Sequence, residues 1–321
     1  MDITLPGNAI SQARLLGPND ENFKLIEARY PVTLSVKDGV VHISGPDPEP
    51  VRLAGKIIRE FVPVAEHVEI ACDDIRRAMD TLAEGRILDF TALYSELICT
   101  TARGKPIRAK THGQREYIQA IRDNYILFAT GPAGTGKTYL AVCEAVSMLK
   151  AGKVNRVVLV RPAVEAGESL GYLPGDLNEK LDPYVRPLYD AFYDLLSPEK
   201  FMRYSDKGVI EIVPLAYMRG RTLNESFIIL DEAQNATPKQ MKMFLTRLGF
   251  GSKAVVTGDI TQIDLPGHAQ SGLRSVREIL KGIKGIGFID LSEADVVRHE
   301  IVQKIVQAYA KYEQQEGKLQ S

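Results

Sequence analysis

The stretch Tyr125–Thr138, YILFATGPAGTGKT, decides the fold, because an apolar run is followed at once by a glycine-rich turn ending in Gly-Lys-Thr. A helical pattern, TYLAVCEAVSMLK, continues from Thr138. A strand, a loop of the form G-x-x-x-x-G-K-T and a helix form the setting in which backbone N–H groups and a helix N-terminus bind phosphate. The alternative is a glycine-rich turn without a ligand, and the flanking strand and helix favour the phosphate loop.

The phosphate loop, residues 131–138, predicts a nucleoside triphosphate site. Lys137 would reach the β- and γ-phosphates, and the hydroxyl of Thr138 would ligate Mg²⁺. The glycines would let backbone N–H groups wrap the phosphates. The expected nucleotide-binding residues of the loop are Gly131, Pro132, Ala133, Gly134, Thr135, Gly136, Lys137 and Thr138.

A second apolar run, FIIL at 227–230, leads into Asp231 and Glu232. Ligands lie at the carboxyl ends of strands in open parallel sheets, so Asp231 is expected to hold Mg²⁺, directly or through water. Glu232 is expected to polarise the water that attacks the γ-phosphate. The alternative for this pair is two acidic residues that cap a following helix.

The run VVTGDITQ, 255–262, again ends a strand in polar residues. The amide of Gln262 is expected to sense the γ-phosphate, with a polar strand-to-loop turn as the alternative. Gln114, close to Tyr117 and just before the first sheet strand, is a candidate for reading an adenine edge. A preference for ATP over GTP depends on this residue and on family likeness.

Four arginines are further candidates. Arg161 ends a predicted strand, at the edge where a nucleotide or a nucleic-acid strand would lie. Candidates for stabilising transition-state charge are Arg219, Arg221 and Arg298, although each could be an ordinary surface arginine.

Six short apolar runs alternate with helical patterns in the second part of the chain. They are YILFAT (125–130), RVVLV (156–160), VIEIV (209–213), FIIL (227–230), AVVTG (254–258) and GFIDL (287–291). Continuous β-branched runs separated by helices are typical of a parallel sheet buried on both faces, so the expected fold class is α/β. Two of the runs lie between the phosphate loop and Asp231. This arrangement suits P-loop proteins in which an acidic residue activates water, and it argues against small-molecule kinases. A further helix is expected at 294–312.

Residues 15–63 predict a small α+β unit. A helical pattern in 20–30 is followed by the strands VTLSV and VVHIS, joined at Asp38-Gly39, and by a helix in 51–62. Another helix is expected at 72–85. This order resembles a KH RNA-binding module, but the fourth position of the expected GXXG loop is Asp20, whose charge repels a phosphate backbone. A scaffold or an oligomer contact is the alternative to RNA binding here.

Composition limits the function class. Forty basic and 41 acidic residues give a net charge of −1, which excludes a histone-like polycation. The first 100 residues have 10 basic and 16 acidic side chains and the other 221 have 30 and 25, so any nucleic-acid affinity is expected in the second part. Three cysteines at no metal-like spacing indicate neither a disulfide framework nor a zinc site. The N-terminus lacks the pattern of a secretory signal, and no apolar run could span a bilayer, so the expected location is cytoplasmic.

The expected domains are a KH-like domain with a helical extension (1–100), a basic linker (101–115) and a P-loop ATPase domain (116–321). The linker, TARGKPIRAKTHGQR, contains five basic residues and no acidic residue. Its charge is expected to be solvated, with nucleic-acid contact as the alternative.

Four segments together resemble the PhoH-like ATPase family: GPAGTGKTYLA, the long block RPAVEAGESLGYLPGDLNEKLDPYVRPLYDA, FIILDEAQNATPKQMKMFLTRLG and TGDITQIDLP. The likeness covers about 110–310. It implies a RecA-like domain similar to the first domain of superfamily 1 helicases, and ATP and Mg²⁺ as cofactors. It also implies contact of Arg161 with single-stranded nucleic acid, and a bacterial cytosolic ATPase linked to RNA metabolism. An endoribonuclease of ribosomal RNA maturation is a partner that the likeness implies.

Chain length adds an expectation about assembly. A monomeric helicase closes its ATP site with a second RecA-like domain, but only 55 residues follow Pro266. An arginine that completes the site would then come from a neighbouring subunit, or hydrolysis would be slow. A homo-oligomeric ring of six, with Arg298 or Arg221 as the donor, is the favoured expectation. The leading function is an RNA-coupled ATPase, with helicase activity open. The alternatives are a nucleotide-dependent switch or adaptor for an RNA-processing nuclease and a phosphotransferase.

Overall fold

The chain forms two compact units, Met1–Glu96 and Leu97–Ser321. The computed structural model describes residues 1–5, 8–85, 87, 89–162, 188–266, 269–298, 301, 302, 305, 308 and 309. Most of the block that begins at Arg161 lies outside the described residues. Of the helix expected at 294–312, the described residues 301, 302, 305, 308 and 309 are helical. Residues 296–298, in the described part of that segment, are not helical.

The first unit packs helices against a small antiparallel sheet. Its strands are β1 (Asp2–Thr4), β2 (Thr33–Lys37) and β3 (Val40–Ser44), in the order β1-β3-β2. Its helices are α1 (Ala9–Leu16), α2 (Glu21–Arg29), α3 (Pro48–Ala65), α4 (Cys72–Ala83) and α5 (Phe90–Ser95). The expected αββα order and the helix at 72–85 are confirmed, whereas β1 and α1 were not expected. Likeness to a KH module stays a prediction.

The second unit is an α/β fold built around a six-stranded parallel sheet. Its first residues form a short hairpin, β4 (Cys99–Thr100) with β5 (Pro106–Ile107), and then α6 (His112–Asp123). The basic segment expected as a linker, 101–115, therefore contains a strand and the start of a helix, and it belongs to the second unit.

The parallel sheet confirms all six strands expected from the sequence. They are β6 (Ile126–Thr130), β7 (Arg156–Arg161), β8 (Ile210–Pro214), β9 (Ser226–Leu230), β10 (Lys253–Gly258) and β11 (Ile286–Asp290). The described helices of this unit are α6, α7 (Lys137–Lys150), the helical residues 188–195, α8 (Pro198–Asp206), α9 (Pro238–Leu245) and α10 (Gly272–Leu280).

The strand order is β11-β6-β10-β9-β7-β8, so β10 separates the strand of the phosphate loop from the strand that carries Asp231. This sheet, with helices on its faces, confirms the α/β class expected from the sequence. All residues of β9 are buried, as a central strand covered on both faces requires. Phe128 of β6 stacks on Phe288 of β11, with 5.0 Å between ring centroids.

The register of the parallel strands brings four strand ends to one edge. Gly258 pairs with Thr130, and Val160 pairs with Leu230. The residues that follow these strands therefore lie side by side: the phosphate loop, Asp259, Asp231 and the terminal Arg161 of β7. A backbone hydrogen bond of 3.3 Å from Gly131 to the oxygen of Gly258 joins two of these ends.

Replacing Ile229 by Ala tests the role of the sheet core. Ile229 is 0% exposed in the central strand β9, so its truncation should lower the free energy of unfolding by about 2–5 kcal/mol. The matched control is Ile279→Ala on α10, where the side chain is 69% exposed and the change should stay within about 0.5 kcal/mol. Urea denaturation measures both. Equal losses in the two variants would contradict this account of the core.

Candidate nucleotide-binding site

The phosphate loop connects β6 to α7 in the arrangement expected from the sequence. Gly131, Gly134 and Gly136 have positive φ angles of 149°, 89° and 82°. At Gly131 a Cβ atom would lie 2.4 Å from the backbone oxygen of Leu291, so glycine is needed there for space as well as for conformation. The loop thus depends on glycines to form its concave backbone.

Lys137 is folded into the loop. Its Nζ donates hydrogen bonds to the backbone oxygens of Gly131 (2.6 Å) and Pro132 (2.8 Å) and lies 3.3 Å from Oγ1 of Thr135. The ammonium group is therefore held at the loop by neutral acceptors, which phosphate oxygens can replace.

Burial, three carboxylates and a second cation act on the ammonium group of Lys137. Burial lowers the pKa of Lys137 below its ordinary value, and the carboxylates of Asp259, Glu232 and Asp231 oppose that shift. Arg298, a second cation nearby, adds to the lowering. A bound phosphate would compensate both cations and favour the charged form of the lysine.

Asp231 is almost completely buried and hydrogen-bonded at both oxygens. Its Oδ1 accepts from Oγ1 of Thr138 at 2.6 Å and from Oγ1 of Thr257 at 2.8 Å. Its Oδ2 accepts from Nε and Nη2 of Arg161 at 2.8 and 2.6 Å. The side chains of Arg161 and Asp231 are 18% and 3% exposed. The pairing of Thr138 with Asp231 brings together the two expected metal ligands.

Glu232 lies next to Asp231 but turns in another direction, because its backbone is left-handed with φ of 53°. Its Oε2 accepts a hydrogen bond of 2.7 Å from Nε2 of Gln234. The other end of that amide, Oε1, accepts from the backbone N–H of Asp259 at 3.0 Å. Gln234 is 1% exposed and so joins the acidic residue to the loop that carries Gln262.

One cavity of about 260 Å³ collects these groups. Its lining includes most of the residues expected from the sequence, together with Tyr139 and Asp259: Ala133, Gly134, Gly136, Lys137, Thr138, Tyr139, Asp231, Glu232, Gly258, Asp259 and Gln262. The sheet edge therefore brings Gln262 to the same space as Glu232 and the phosphate loop. The sensing role of Gln262 stays a prediction.

Gln114 and Tyr117 support the phosphate loop from behind. Nε2 of Gln114 donates to the backbone oxygen of Thr135 at 3.0 Å, and Oε1 accepts from the N–H of Lys110 at 2.8 Å. The hydroxyl of Tyr117 donates to the oxygen of Lys137 at 2.9 Å. The amide of Gln114 therefore forms hydrogen bonds with backbone groups. Recognition of an adenine edge by Gln114 stays a prediction.

Arg298 lies on the phosphate loop of its own chain. Its guanidinium donates to the backbone oxygen of Ala133, and the neighbouring N–H of Val297 donates to the oxygen of Gly134 at 3.0 Å. The turn after β11 brings Arg298 to the loop of its own chain, and the expectation that it serves a neighbour's site stays a prediction. The hydrogen bond of 2.7 Å from Leu291 to the oxygen of Thr130 anchors that turn.

The other two candidate arginines lie outside the cavity. Arg221 pairs with Glu211 of β8 at 2.7 Å, and Arg219 is exposed. Arg161 points at Asp231, and its Nη2 lies 3.9 Å from Oε1 of Glu232. The expected contact of Arg161 with single-stranded nucleic acid stays a prediction.

Sequence reasoning assigned no role to Gln234 and Thr257, although both fell within the quoted motifs. Gln234 is two residues after Glu232, and Thr257 lies on the strand that precedes Asp259. Polar side chains at strand ends were the available signal. Thr257 bonds to Asp231, at the end of the neighbouring strand, and Gln234 bonds to the N–H of Asp259. These pairs can be identified only when the order of the strands in the sheet is known.

Thr138 and Asp231 fit a magnesium ion. Mg²⁺ binds to proteins through one or two side chains and completes its octahedron with phosphate oxygens and waters. Thr138 donates its hydrogen to Asp231 and so keeps its oxygen lone pairs for a metal. In the part of the chain that the structure describes, no group of three or more His, Cys, Asp or Glu could form an all-protein metal site.

Comparisons with known proteins agree with these motifs. The family model described as PhoH-like protein matches residues 106–310. A PhoH-like protein of Bacillus subtilis (strain 168) is 50% identical over 307 residues, which cover 95% of each chain. A PhoH-like protein of Synechocystis is 45% identical over 96% of this chain and 93% of the relative.

The chain belongs to the PhoH-like protein family. Protein PhoH of Escherichia coli (strain K12) is 44% identical over 208 residues, which cover 64% of this chain and 58% of that protein. The relatives from Bacillus and Synechocystis therefore match both units of this PhoH-like chain, whereas the match to the Escherichia protein is shorter.

Among solved structures, the Pif1 helicase from Candida albicans aligns with a TM-score of 0.32 at 16% identity, covering 61% of this chain and 42% of that one. The UvsW helicase from bacteriophage T4 aligns with a TM-score of 0.37 at 10% identity, covering 67% and 77%. Scores at this level add nothing to the fold described above. In the described part of the chain, no helix is long and apolar enough to cross a membrane.

Replacing Gln234 by Leu should lower the free energy of unfolding by about 1–3 kcal/mol, because the buried N–H of Asp259 and the carboxylate of Glu232 each lose a partner. The matched control is Gln119→Leu on α6, where the amide contacts only Asp123 at the surface and the change should stay within about 0.5 kcal/mol. Chemical denaturation measures both. A Gln234 variant as stable as the control would exclude a structural link through this amide.

Proposed function

We propose that this PhoH-family protein is a Mg²⁺-dependent ATPase. The observation that carries the proposal is one cavity in which Lys137 and Thr138 of the phosphate loop face Asp231 and Glu232. Phosphoryl transfer depends mainly on positioning and on compensation of charge. This cavity offers the ammonium group of Lys137, the backbone of the phosphate loop and the carboxylates of Asp231 and Glu232, which differ in their surroundings.

The two carboxylates have different proposed roles. Mg²⁺, when bound between Thr138, Asp231 and the nucleotide, would supply charge compensation for the phosphates. Asp231 is buried among hydrogen-bond donors, and its proposed role is to position the metal ion. Glu232 is about half-exposed, with its side chain 47% accessible, and it is the group that water can reach. Gln234 orients the Glu232 carboxylate, and Glu232 is therefore the proposed residue that polarises the attacking water.

Arg298 is proposed as a charge donor to its own site. Its guanidinium already lies on the phosphate loop at Ala133, so charge compensation by an arginine does not require a neighbouring subunit. A homo-oligomeric ring of six stays part of the proposal and is based on the likeness to the family. In such a ring, the interface would position the subunits or transmit motion between them, and it would not need to deliver Arg298.

Single-stranded RNA is the proposed macromolecular substrate, and the cytoplasm is the proposed location. Support comes from the family's likeness to helicase motifs and from the excess of basic residues after residue 100. Hydrolysis coupled to movement along RNA is the leading form of the proposal, with helicase activity as one outcome. A nucleotide-dependent switch for an RNA-processing endoribonuclease, without translocation, is the other form.

Replacing Glu232 by Gln should reduce steady-state phosphate release from ATP by at least about 10²-fold, because the amide cannot accept a proton from water. Nucleotide binding, measured with a fluorescent ATP analogue, should be retained. The control is Glu278→Gln, an exposed carboxylate on α10, with unchanged hydrolysis. Undiminished hydrolysis in Glu232→Gln would overturn the assignment of this residue.

The same assay separates the two forms of the function. Phosphate release is measured with and without single-stranded RNA over a range of protein concentrations. Stimulation by RNA that rises cooperatively with concentration supports an RNA-coupled oligomer. Hydrolysis that depends on Glu232 but not on RNA supports the nucleotide switch.

A further inference from the structure

In this structure, hydrogen-bond donors from the protein occupy the acceptor positions of the Asp231 carboxylate. Described residues donate four hydrogen bonds to it, two at each oxygen. A carboxylate offers about four lone-pair positions in all. A Mg²⁺ ion, or a water bound to it, therefore reaches Asp231 only when one of the present donors leaves.

Arg161 is the donor that can leave. Thr138 can keep its hydrogen bond to Asp231 and still offer lone pairs to the metal, so its departure is unnecessary. Thr257 is 0% exposed within the central sheet and has no room to turn away. Arg161 ends β7, keeps 18% of its side chain exposed and occupies Oδ2 alone.

Charge balance favours the same exchange. A buried carboxylate is costly without a countercharge, and the guanidinium of Arg161 provides it. Mg²⁺ brings two positive charges to the same place and repels the guanidinium. Oε1 of Glu232, 3.9 Å from Nη2 of Arg161, offers a second acceptor a short displacement away.

We propose that Arg161 is an exchangeable countercation, a positioning residue that compensates Asp231 until Mg²⁺ and nucleotide displace it. The inference rests on the proposed nucleotide site. It makes Arg161 and the metal competitors for one carboxylate oxygen, so the protein resists metal loading by itself and needs the nucleotide phosphates to complete the exchange. Removing the guanidinium should therefore strengthen Mg²⁺ binding, whereas simple structural damage would weaken it.

The test compares Arg161→Met with the wild type and with Arg221→Met, whose arginine pairs with Glu211 outside the cavity. Each protein is titrated with Mg²⁺ in the presence of a fluorescent adenosine diphosphate, and nucleotide binding is followed by fluorescence. The Mg²⁺ concentration at half-saturation should fall about tenfold in Arg161→Met and stay unchanged in Arg221→Met. Thermal unfolding in EDTA should occur at lower temperature in Arg161→Met, and Mg²⁺ with nucleotide should recover most of that loss.

The outcomes are distinguishable. An unchanged or raised Mg²⁺ requirement in Arg161→Met overturns the inference, and a parallel loss of affinity for single-stranded RNA would assign Arg161 to the nucleic acid instead. A wild type that binds nucleotide without any dependence on Mg²⁺, or not at all, overturns the proposed function together with the inference. If Arg161→Met does not fold, Arg161→Lys provides the test. Lysine makes fewer hydrogen bonds to a carboxylate than arginine does, so Arg161→Lys should lower the half-saturating Mg²⁺ concentration by a few-fold. An unchanged value overturns the inference.

Discussion

The buried carboxylate of Asp231 is the constraint on which the site depends. A charge this deep must be compensated, and its donors come from the phosphate-loop helix, the neighbouring strand β10 and the end of β7. The need to compensate the charge of Asp231 holds three side chains in place, those of Thr138, Thr257 and Arg161. The carboxylate therefore fixes the phosphate loop against the sheet, and the same geometry leaves the exposed Glu232 directed elsewhere.

The backbone register of the sheet makes this arrangement possible. Because β10 lies between β6 and β9, the ends of these three strands are neighbours, and residues that follow them line the cavity. The inserted strand also brings Asp259 beside Gln234. The buried amide of Gln234 then connects Glu232 to the loop that carries Gln262.

The cationic side chains of the site differ in their hydrogen-bond partners. Lys137 bonds only to neutral oxygens of the loop and is available to phosphate. Arg298 donates to the backbone oxygen of Ala133 in the same loop. Arg161 bonds to the carboxylate of Asp231 and so has a charged partner. The Arg298 contact therefore joins the segment after β11 to the phosphate loop of the same chain.

The sequence by itself determined the α/β class, the six parallel strands, the phosphate loop and the acidic pair, because apolar runs and glycine spacing are local properties. It also placed the helices and strands of residues 20–83. Only the tertiary structure decided the strand order, the strand and helix start within the segment expected as a linker, the partners of Gln234, and the directions of Arg161 and Arg298. Those features depend on hydrogen bonds between residues up to 165 positions apart, and no local pattern encodes which distant group a side chain will meet.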